Sequence, residues 1–473
     1  MSHTISSFQP RRGQHPATIR TLNRVMLASL ALILMALALL LPGITHAQAA
    51  APPEAQASAL AIQLLDHLDA AEYAQAEAMF SPAMAQAVPA DKMQAVWESL
   101  PKQAGDAQGL GEAVSTQQGD TTLVKIPLHY AQAALVAKVS IDAAGKISGF
   151  LIQPGEAAVA PAPAVADNAP YTETDLNVGE GERALPGTLT MPKGTGQASG
   201  KRVPAVLLVH GSGPHDRDES IGPNKPFLDI ARGLAAQGIA VLRYEKRTKA
   251  RPQDFASGVY GVDDETTNDA VLAVDALRKV EGIDPARVFV LGHSQGGLMA
   301  PRIAAISGHV AGLVLMAAPA RPLLDILIEQ NRRMAVLDDG KTSDAERDAI
   351  NALVAQVATT RDPATAPSTK TVLGMPAGYW TSIDSVDPVS DAKTVDLPML
   401  ILQGARDIQV VDADWQRWRG GFYDDKKVTF KLYDKLNHLG IAGEGDGNLA
   451  EYGKPGHVDP TLIDDVATWV KAH

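Results

Sequence analysis

The chain reads as an α/β protein with a mostly parallel, doubly wound sheet, preceded by a smaller α+β domain. Three observations carry this. From Tyr171 onward, continuous Val/Ile/Leu runs alternate with amphipathic helical stretches, the pattern of parallel strands covered on both faces. Residues 56–155 follow another rhythm, helical spacing first and alternating strand-like runs afterwards. Between the two, residues 156–170 ("EAAVAPAPAVADNAP") have the Pro/Ala composition of a semi-rigid linker. With 473 residues, 45% of them hydrophobic, the chain is long enough for two or three domains.

The first element is a targeting segment. Arg11, Arg12, Arg20 and Arg24 precede an apolar run from Val25 to Leu41, and no acidic residue occurs before Glu54. "PGITHAQAA" then supplies a helix-ending Pro-Gly and small residues. A basic region, an apolar core and a small-x-Ala site make a secretory signal peptide over residues 1–47, with cleavage after Ala47 or Ala49. A periplasmic or secreted protein is expected. If uncleaved, the same segment would be a short anchor and the protein's link to a membrane.

Composition narrows the chemistry. The chain contains no cysteine, which excludes disulfides, a thiol nucleophile, cysteine metal sites and a lipid-attachment cysteine. A formal net charge of −12 disfavours nucleic acid as a partner.

In the α+β domain (56–155), "ASALAIQLLDHLDAAEYAQAEAMF" and "DKMQAVWESL" have helical apolar spacing. "TTLVKIPLHY", "AALVAKVSID" and "KISGFLIQP" alternate, with turns at "QQGD" and "AAGK". A curved sheet wrapped over helices is expected. No catalytic constellation occurs in it, and His67 and His129 stand alone.

In the α/β domain (171–473) the strands are "VPAVLLVHG", "IAVLRYEKR", "ARVFVLGHS", "VAGLVLMAAP", "LPMLILQGARD" and "KVTFKLYDKLNH". The helices between and after them include "KPFLDIARGLAAQG", "TTNDAVLAVDALRKV" and the terminal "TLIDDVATWVKAH". Residues 321–389 interrupt this rhythm with two helical stretches and a Pro-rich turn. They read as a cap inserted over the catalytic edge of the sheet.

Chemistry in open α/β sheets gathers at the carboxyl ends of strands. His210-Gly211-Ser212-Gly213 follows the first of these strands. Gly292-His293-Ser294-Gln295-Gly296 follows the third, Gln403-Gly404-Ala405-Arg406-Asp407 the fifth, and Asn437-His438 the sixth. The Gly-x-Ser-x-Gly motif alone arises easily by chance in a chain with 40 glycines. Its place after a buried apolar run, with an acid and an imidazole at the same edge in the order Ser, Asp, His, is far more specific. Ser294 is the expected nucleophile. His438 is the expected base that takes its proton and later protonates the leaving group, and Asp407 the acid that fixes the imidazole tautomer. The backbone N–H groups of Gln295 and Ser212 are the expected oxyanion donors.

Rival residues are weaker. Asp412 and Asp414 read as the first turn of a helix, His293 as packed beside the strand, and His457 as exposed. "HDRDES" (215–220) has alternating charge that favours an internal Arg217–carboxylate network over a metal site.

On these motifs, residues 171–473 resemble the α/β-hydrolase superfamily, and within it bacterial exported esterases related to dienelactone hydrolase and prolyl oligopeptidase-like enzymes. "HGSGPHDRDESIGPNKPFLDIARGLAAQGIAVLRYEKRT" and "YWTSIDSVDPV…LPMLILQGARDIQVVDADW" carry the resemblance, with His215 where Asn is expected. The N-terminal domain resembles, by pattern and position, the cystatin-like (nuclear-transport-factor-2-like) domain often fused ahead of such hydrolases. The resemblance implies an α/β-hydrolase fold and a carboxylic-ester hydrolase for small esters of short acyl chains, with no metal or organic cofactor. A serine peptidase with the same triad, and an idle envelope binding protein, are the alternatives.

Overall fold

A computed structural model describes residues 52–473, apart from residue 119 and residues 131–133, 155–161, 197–199 and 338–339. The expected signal peptide, and the first part of the expected linker, lie outside the described residues. Among the described residues, no helix is long and apolar enough to cross a membrane. The chain divides into two compact units, residues 1–155 and 156–473.

The first unit contains helices α1 (Glu54–Asp69), α2 (Tyr73–Ala78), α3 (Pro82–Ala87) and α4 (Ala90–Ala104). Strands β1 (Ala107–Leu110), β2 (Val114–Gln118), β3 (Thr121–Tyr130), β4 (Ala134–Ile141) and β5 (Ile147–Pro154) form an antiparallel sheet in the order β1-β3-β4-β5, with β2 also on β3. On α1, Ala57, Ala61, Leu64, Leu65 and Leu68 form one buried stripe. It packs with Val124, Ile126 and Leu128, which share one face of β3 because strand side chains alternate. The sequence reads residues 57–80 as one helical run. The structure breaks it at Ala71, whose φ of 57° cannot continue a right-handed helix. Strand β1 was not anticipated either, being short and exposed throughout.

The second unit is an eight-stranded sheet of order β13-β12-β11-β10-β8-β9-β7-β6. Strands β8 (Val203–Val209), β9 (Ala240–Tyr244), β10 (Ile283–His293), β11 (Gly312–Met316), β12 (Met399–Gly404) and β13 (Val428–Tyr433) run parallel. They coincide with the six strands the apolar runs predict. Strands β6 (Tyr171–Asp175) and β7 (Gly187–Pro192) extend it antiparallel and were missed. β6, "YTETD", is an edge strand with little to bury, so it lacks an apolar signature.

The continuous apolar runs follow from covering on both faces. In β8, Ala205, Leu207 and Val209 enter one core, shared with α7 (Asn268–Arg278) and α8 (Gln295–Ser307). Val206 and Leu208 enter the other, with α5 (Pro226–Ala236) and α14 (Pro460–Ala472). A short α6 (Arg247–Ala250) follows β9, and a π-helical turn, Asp263–Thr267, leads into α7.

Between β11 and β12 the chain forms α9 (Leu323–Leu337), α10 (Asp344–Arg361), α11 (Ala377–Asp384) and α12 (Pro388–Val395). α10 opens with a reciprocal capping box between Ser343 and Glu346. Arg361 at its end ties it to Asp384 (2.7 Å) and to Asp325 of α9 (2.8 Å). α12 packs against α8 and so belongs to the helical layer of the sheet. α13 (Asp412–Gly421) follows β12.

Candidate active site

Strand β10 ends at His293 and α8 begins at Gln295, leaving Ser294 alone to make the turn. Its backbone has φ 51° and ψ −121°, a strained conformation for a non-glycine residue. Neighbouring glycines are required by close approach. A Cβ on Gly292 would overlap the carbonyl of Gly296, one on Gly296 would overlap the carbonyl of Val209, and one on Gly297 would sit 2.6 Å from Ala318 Cβ. From Val288 to Ala300, every residue except Ser294 is buried. The strand thus delivers one hydroxyl to the sheet edge.

Asp407 follows β12 and His438 follows β13, so parallel pairing of these strands brings 31 residues of separation into contact. His438 Nδ1 donates to Asp407 Oδ2 at 2.8 Å, with both side chains buried. Asp407 Oδ1 accepts the backbone N–H groups of Gln409 (2.8 Å) and Val410 (3.0 Å), and Gln403 Nε2 donates to Oδ2 at 3.2 Å. A carboxylate that accepts four donors is held in one orientation. With Nδ1 donating to it, a neutral His438 has its lone pair on Nε2. Nε2 has no hydrogen-bond partner among the described residues. Asn437 shapes the loop, its Oδ1 accepting from Leu439 and Ile441 N–H at 3.0 and 3.2 Å.

Gly211 lies against Ser294, since a Cβ on it would come 3.2 Å from Ser294 Cβ. The segment Gly211–Ser212 therefore runs beside the nucleophile. The backbone N–H groups of Ser212 and Gln295 have no hydrogen-bond partner among the described residues. Both flanking segments are anchored by one buried cluster. Lys246 Nζ donates to the Gly211 carbonyl (2.7 Å) and pairs with Glu265 Oε1 (2.9 Å). Glu265 Oε2 accepts from Gln295 Nε2 (2.9 Å) and from Tyr379 OH of α11 (2.7 Å). Burial, and then the Glu265 carboxylate, push the Tyr379 phenol well above its ordinary range, so it remains a donor. The insert is also tied to the sheet edge by Gln330 on the Gln409 carbonyl (2.9 Å) and by Arg321 on buried Asp414 (2.7 Å).

The other sequence candidates are placed plainly. Asp412 and Asp414 occupy the first turn of α13, and His457 is exposed on Asp229. "HDRDES" has a network, but not an internal one. Arg217 pairs with Glu245 (2.8 Å), and Asp218 pairs with buried Arg243. Asp216 accepts the backbone N–H groups of Asp218 and Ser220. Arg217 and Asp218 face partners on other segments, so the charged pairs form outside the motif while Asp216 folds back on the loop's own backbone. His293 is buried beside the strand, bonded to Glu219 (2.8 Å). His215 stacks on His210 and bonds the Ser212 carbonyl at 2.7 Å, so the histidine in the Asn position supports the Ser212 turn.

Glu219, Lys246, Glu265 and Tyr379 were not picked out as site residues by sequence reasoning. Glu219 lay inside a motif flagged for charge alone, and the "DDETT" around Glu265 has no pattern that marks a buried carboxylate. Among the described residues, no group of three or more His, Asp or Glu is arranged to hold a metal ion.

Comparison with known proteins shows the family. Residues 200–445 match the family described as "Serine aminopeptidase, S33", and residues 61–150 match a family described as a protein of unknown function (DUF3887). The chain is 35% identical over 410 residues to Esterase EstD of Thermotoga maritima, covering 87% of this chain and 94% of that protein. Among solved structures, it is similar to Est1E from Butyrivibrio proteoclasticus (16% identity, TM-score 0.39, covering 63% of this chain and 96% of that one). It is also similar to a Mycobacterium tuberculosis puromycin-hydrolyzing peptidase (18% identity, TM-score 0.41, 76% and 47%). The chain belongs to the S33 serine hydrolase family of α/β hydrolases, and its second unit is the hydrolase.

Proposed function

We propose that the protein is a carboxylic-ester hydrolase in which Ser294, His438 and Asp407 act as a triad through an acyl-enzyme. The observation that carries the reading is the strained Ser294 turn set at the same sheet edge as the Asp407–His438 pair. The 35% identity to an esterase over most of both chains supports ester over amide substrates.

The steps follow from the residues. His438 Nε2 takes the Ser294 proton as Oγ attacks the ester carbonyl carbon, and the carbonyl π pair moves to oxygen. The Ser212 and Gln295 N–H groups receive that oxyanion, each such donor being worth about 3 kcal/mol of barrier. The tetrahedral carbon then expels the alcohol, which takes the proton from His438. Water repeats the sequence on the acyl-enzyme and releases the acid. Asp407 holds the imidazole throughout.

Small esters with short acyl chains are the proposed substrates, because the 321–389 insert would limit what reaches Ser294. An amide substrate is the second reading, favoured by the peptidase description of the matched family. We read residues 1–47 as an export signal, which makes the site of action periplasmic or extracellular.

The test is p-nitrophenyl esters of graded chain length beside an aminoacyl anilide, with mass spectrometry after a fluorophosphonate probe. A single adduct on Ser294 and ester turnover abolished by Ser294→Ala are expected. Anilide turnover above ester turnover would favour the peptidase. No adduct and no turnover would leave a binding protein.

A further inference from the structure

Glu219 and His293 take no step in the proposed reaction, yet they touch every segment that holds the reacting groups. Glu219 Oε1 accepts the backbone N–H of Gly211 at 2.6 Å, one residue before Ser212. Glu219 Oε2 faces His293 Nδ1 at 2.8 Å, and His293 is one residue before Ser294. His293 Nε2 faces the carbonyl oxygen of His438 at 2.9 Å, and the two imidazole rings lie 4.7 Å apart. Both side chains of the pair are buried.

Donor and acceptor accounting fixes one ring hydrogen. A carbonyl oxygen only accepts, so His293 Nε2 must carry a hydrogen. Glu219 Oε1 already accepts an amide hydrogen. The hydrogen between Glu219 Oε2 and His293 Nδ1 sits on nitrogen in an ion pair and on oxygen in a neutral acid–imidazole pair. In the ion pair the ring donates from both nitrogens as an imidazolium, its extra proton being the one the Glu219 carboxyl has given up. The pair is neutral as a unit.

Burial opposes both charges, but their mutual attraction outweighs it, holding Glu219 down to about 2 and His293 above its ordinary value. Other charged or titratable groups face the pair from the surrounding elements. They are Asp407 and His438 on the His293 side, and His210 and His215 on the Glu219 side. Lys246 bonds the Gly211 carbonyl. A buried ion pair is weak evidence of added stability in itself. Glu219 is moreover held at φ 50°, a strained backbone for a non-glycine residue. What the pair does achieve is to pin three separate loops to one another.

We infer that Glu219 and the imidazolium of His293 are positioning residues that lock the oxyanion segment, the Ser294 turn and the His438 loop in reactive register. The inference rests on the triad reading above.

The test uses the full-chain protein. Glu219→Gln keeps an oxygen for the Gly211 N–H and an amide towards His293 while deleting the charge. His293→Asn probes the same pair from the other side. In histidine-labelled wild type and in Ser294→Ala, ring N–H resonances should show His293 doubly protonated and unchanged from pH 5 to 8. In Glu219→Gln one of the two ring N–H signals should be lost. Each variant should lower kcat on a p-nitrophenyl ester by about 10- to 100-fold with KM within about threefold, the scale of a misplaced reacting group.

A singly protonated His293 in wild type overturns the inference. So does kcat unchanged in a folded variant, or a loss of thermal stability with no change in kcat. If neither variant folds, the ring state in Ser294→Ala decides. If Ser294→Ala retains turnover, the triad reading fails while the ring measurement still reports on the pair.

Discussion

His438 donates to Asp407 at 2.8 Å across a contact made by the ends of two neighbouring parallel strands, β12 and β13, with both side chains buried. The aspartate is satisfied by Gln403 and two backbone N–H groups, so it can fix one tautomer without moving. Asp407→Asn keeps the size of the side chain but can present an N–H to Nδ1, which favours the wrong tautomer. A fall in kcat of about 10⁴-fold is expected on the precedent of such triads, with a far smaller change in KM. Ester kinetics measured beside a circular dichroism melt would separate this from misfolding, and a loss below tenfold would remove Asp407 from the role.

The elbow allows a second expectation. Gly296 approaches the carbonyls of Val209 and His210 so closely that a methyl group has no room unless β8 and α8 separate. Gly296→Ala should therefore cost about 3 kcal/mol, the upper end of what core overpacking typically costs. Ser294→Ala, at a partly exposed position, should leave stability within about 1 kcal/mol. Urea denaturation of the two variants compares them directly.

How much could be read from residues alone follows from how each element earns its burial. Strands β8, β10, β11 and β12 are covered on both faces along their central residues, so those residues are apolar and the run announces itself. β6 has one edge and little core, and β1 is exposed, so neither left a trace. Ser294, Asp407 and His438 could be proposed from sequence because each follows a strand of the parallel sheet, so topology, not side-chain pattern, puts them at one edge. Glu219 and Glu265 lie beside the candidate site, and their partners, His293, Lys246 and Tyr379, lie 19 to 114 residues away. No local periodicity encodes a pairing of that kind. "HDRDES" drew attention by its charge, but which acid meets which base depended on side-chain directions visible only in three dimensions.

The stability of the hydrolase unit should fall on acidification for an identifiable reason. His210 is buried against Phe227 and Tyr244, with Nε2 on the Asp216 carbonyl and no partner for Nδ1 among the described residues. Burial drives its pKa from 6.5 down to about 3. Between those values the unfolded chain binds a proton that the native state refuses, so stability rises with pH there and is lost as pH falls from 6.5 towards 3. His210→Phe should flatten the slope by about one proton, or about 1.4 kcal/mol per pH unit. Urea unfolding at pH 4, 5, 6 and 7 would show it, and parallel slopes for the two proteins would contradict it.

The Lys246–Glu265 pair yields the last expectation, and the sharpest on how the insert communicates with the site. Glu265 is buried and receives Lys246, Gln295 and Tyr379 at 2.9, 2.9 and 2.7 Å. Lys246→Met leaves a carboxylate without its counter-ion and should cost about 3–5 kcal/mol. Glu265→Gln alone strands the ammonium and should cost a similar amount. The double variant removes both charges, so its loss should be well below the sum, a coupling of about 1–3 kcal/mol in the cycle. Tyr379→Phe removes one neutral donor and should cost about 1–2 kcal/mol. Because that hydroxyl is the insert's direct bond to the cluster beneath Gln295, Tyr379→Phe should also lower kcat on p-nitrophenyl esters by a few-fold. Strict additivity of the two charge variants would mean that the lysine and the glutamate are stabilised by other partners. An unchanged kcat in Tyr379→Phe would mean that the insert shapes substrate access alone.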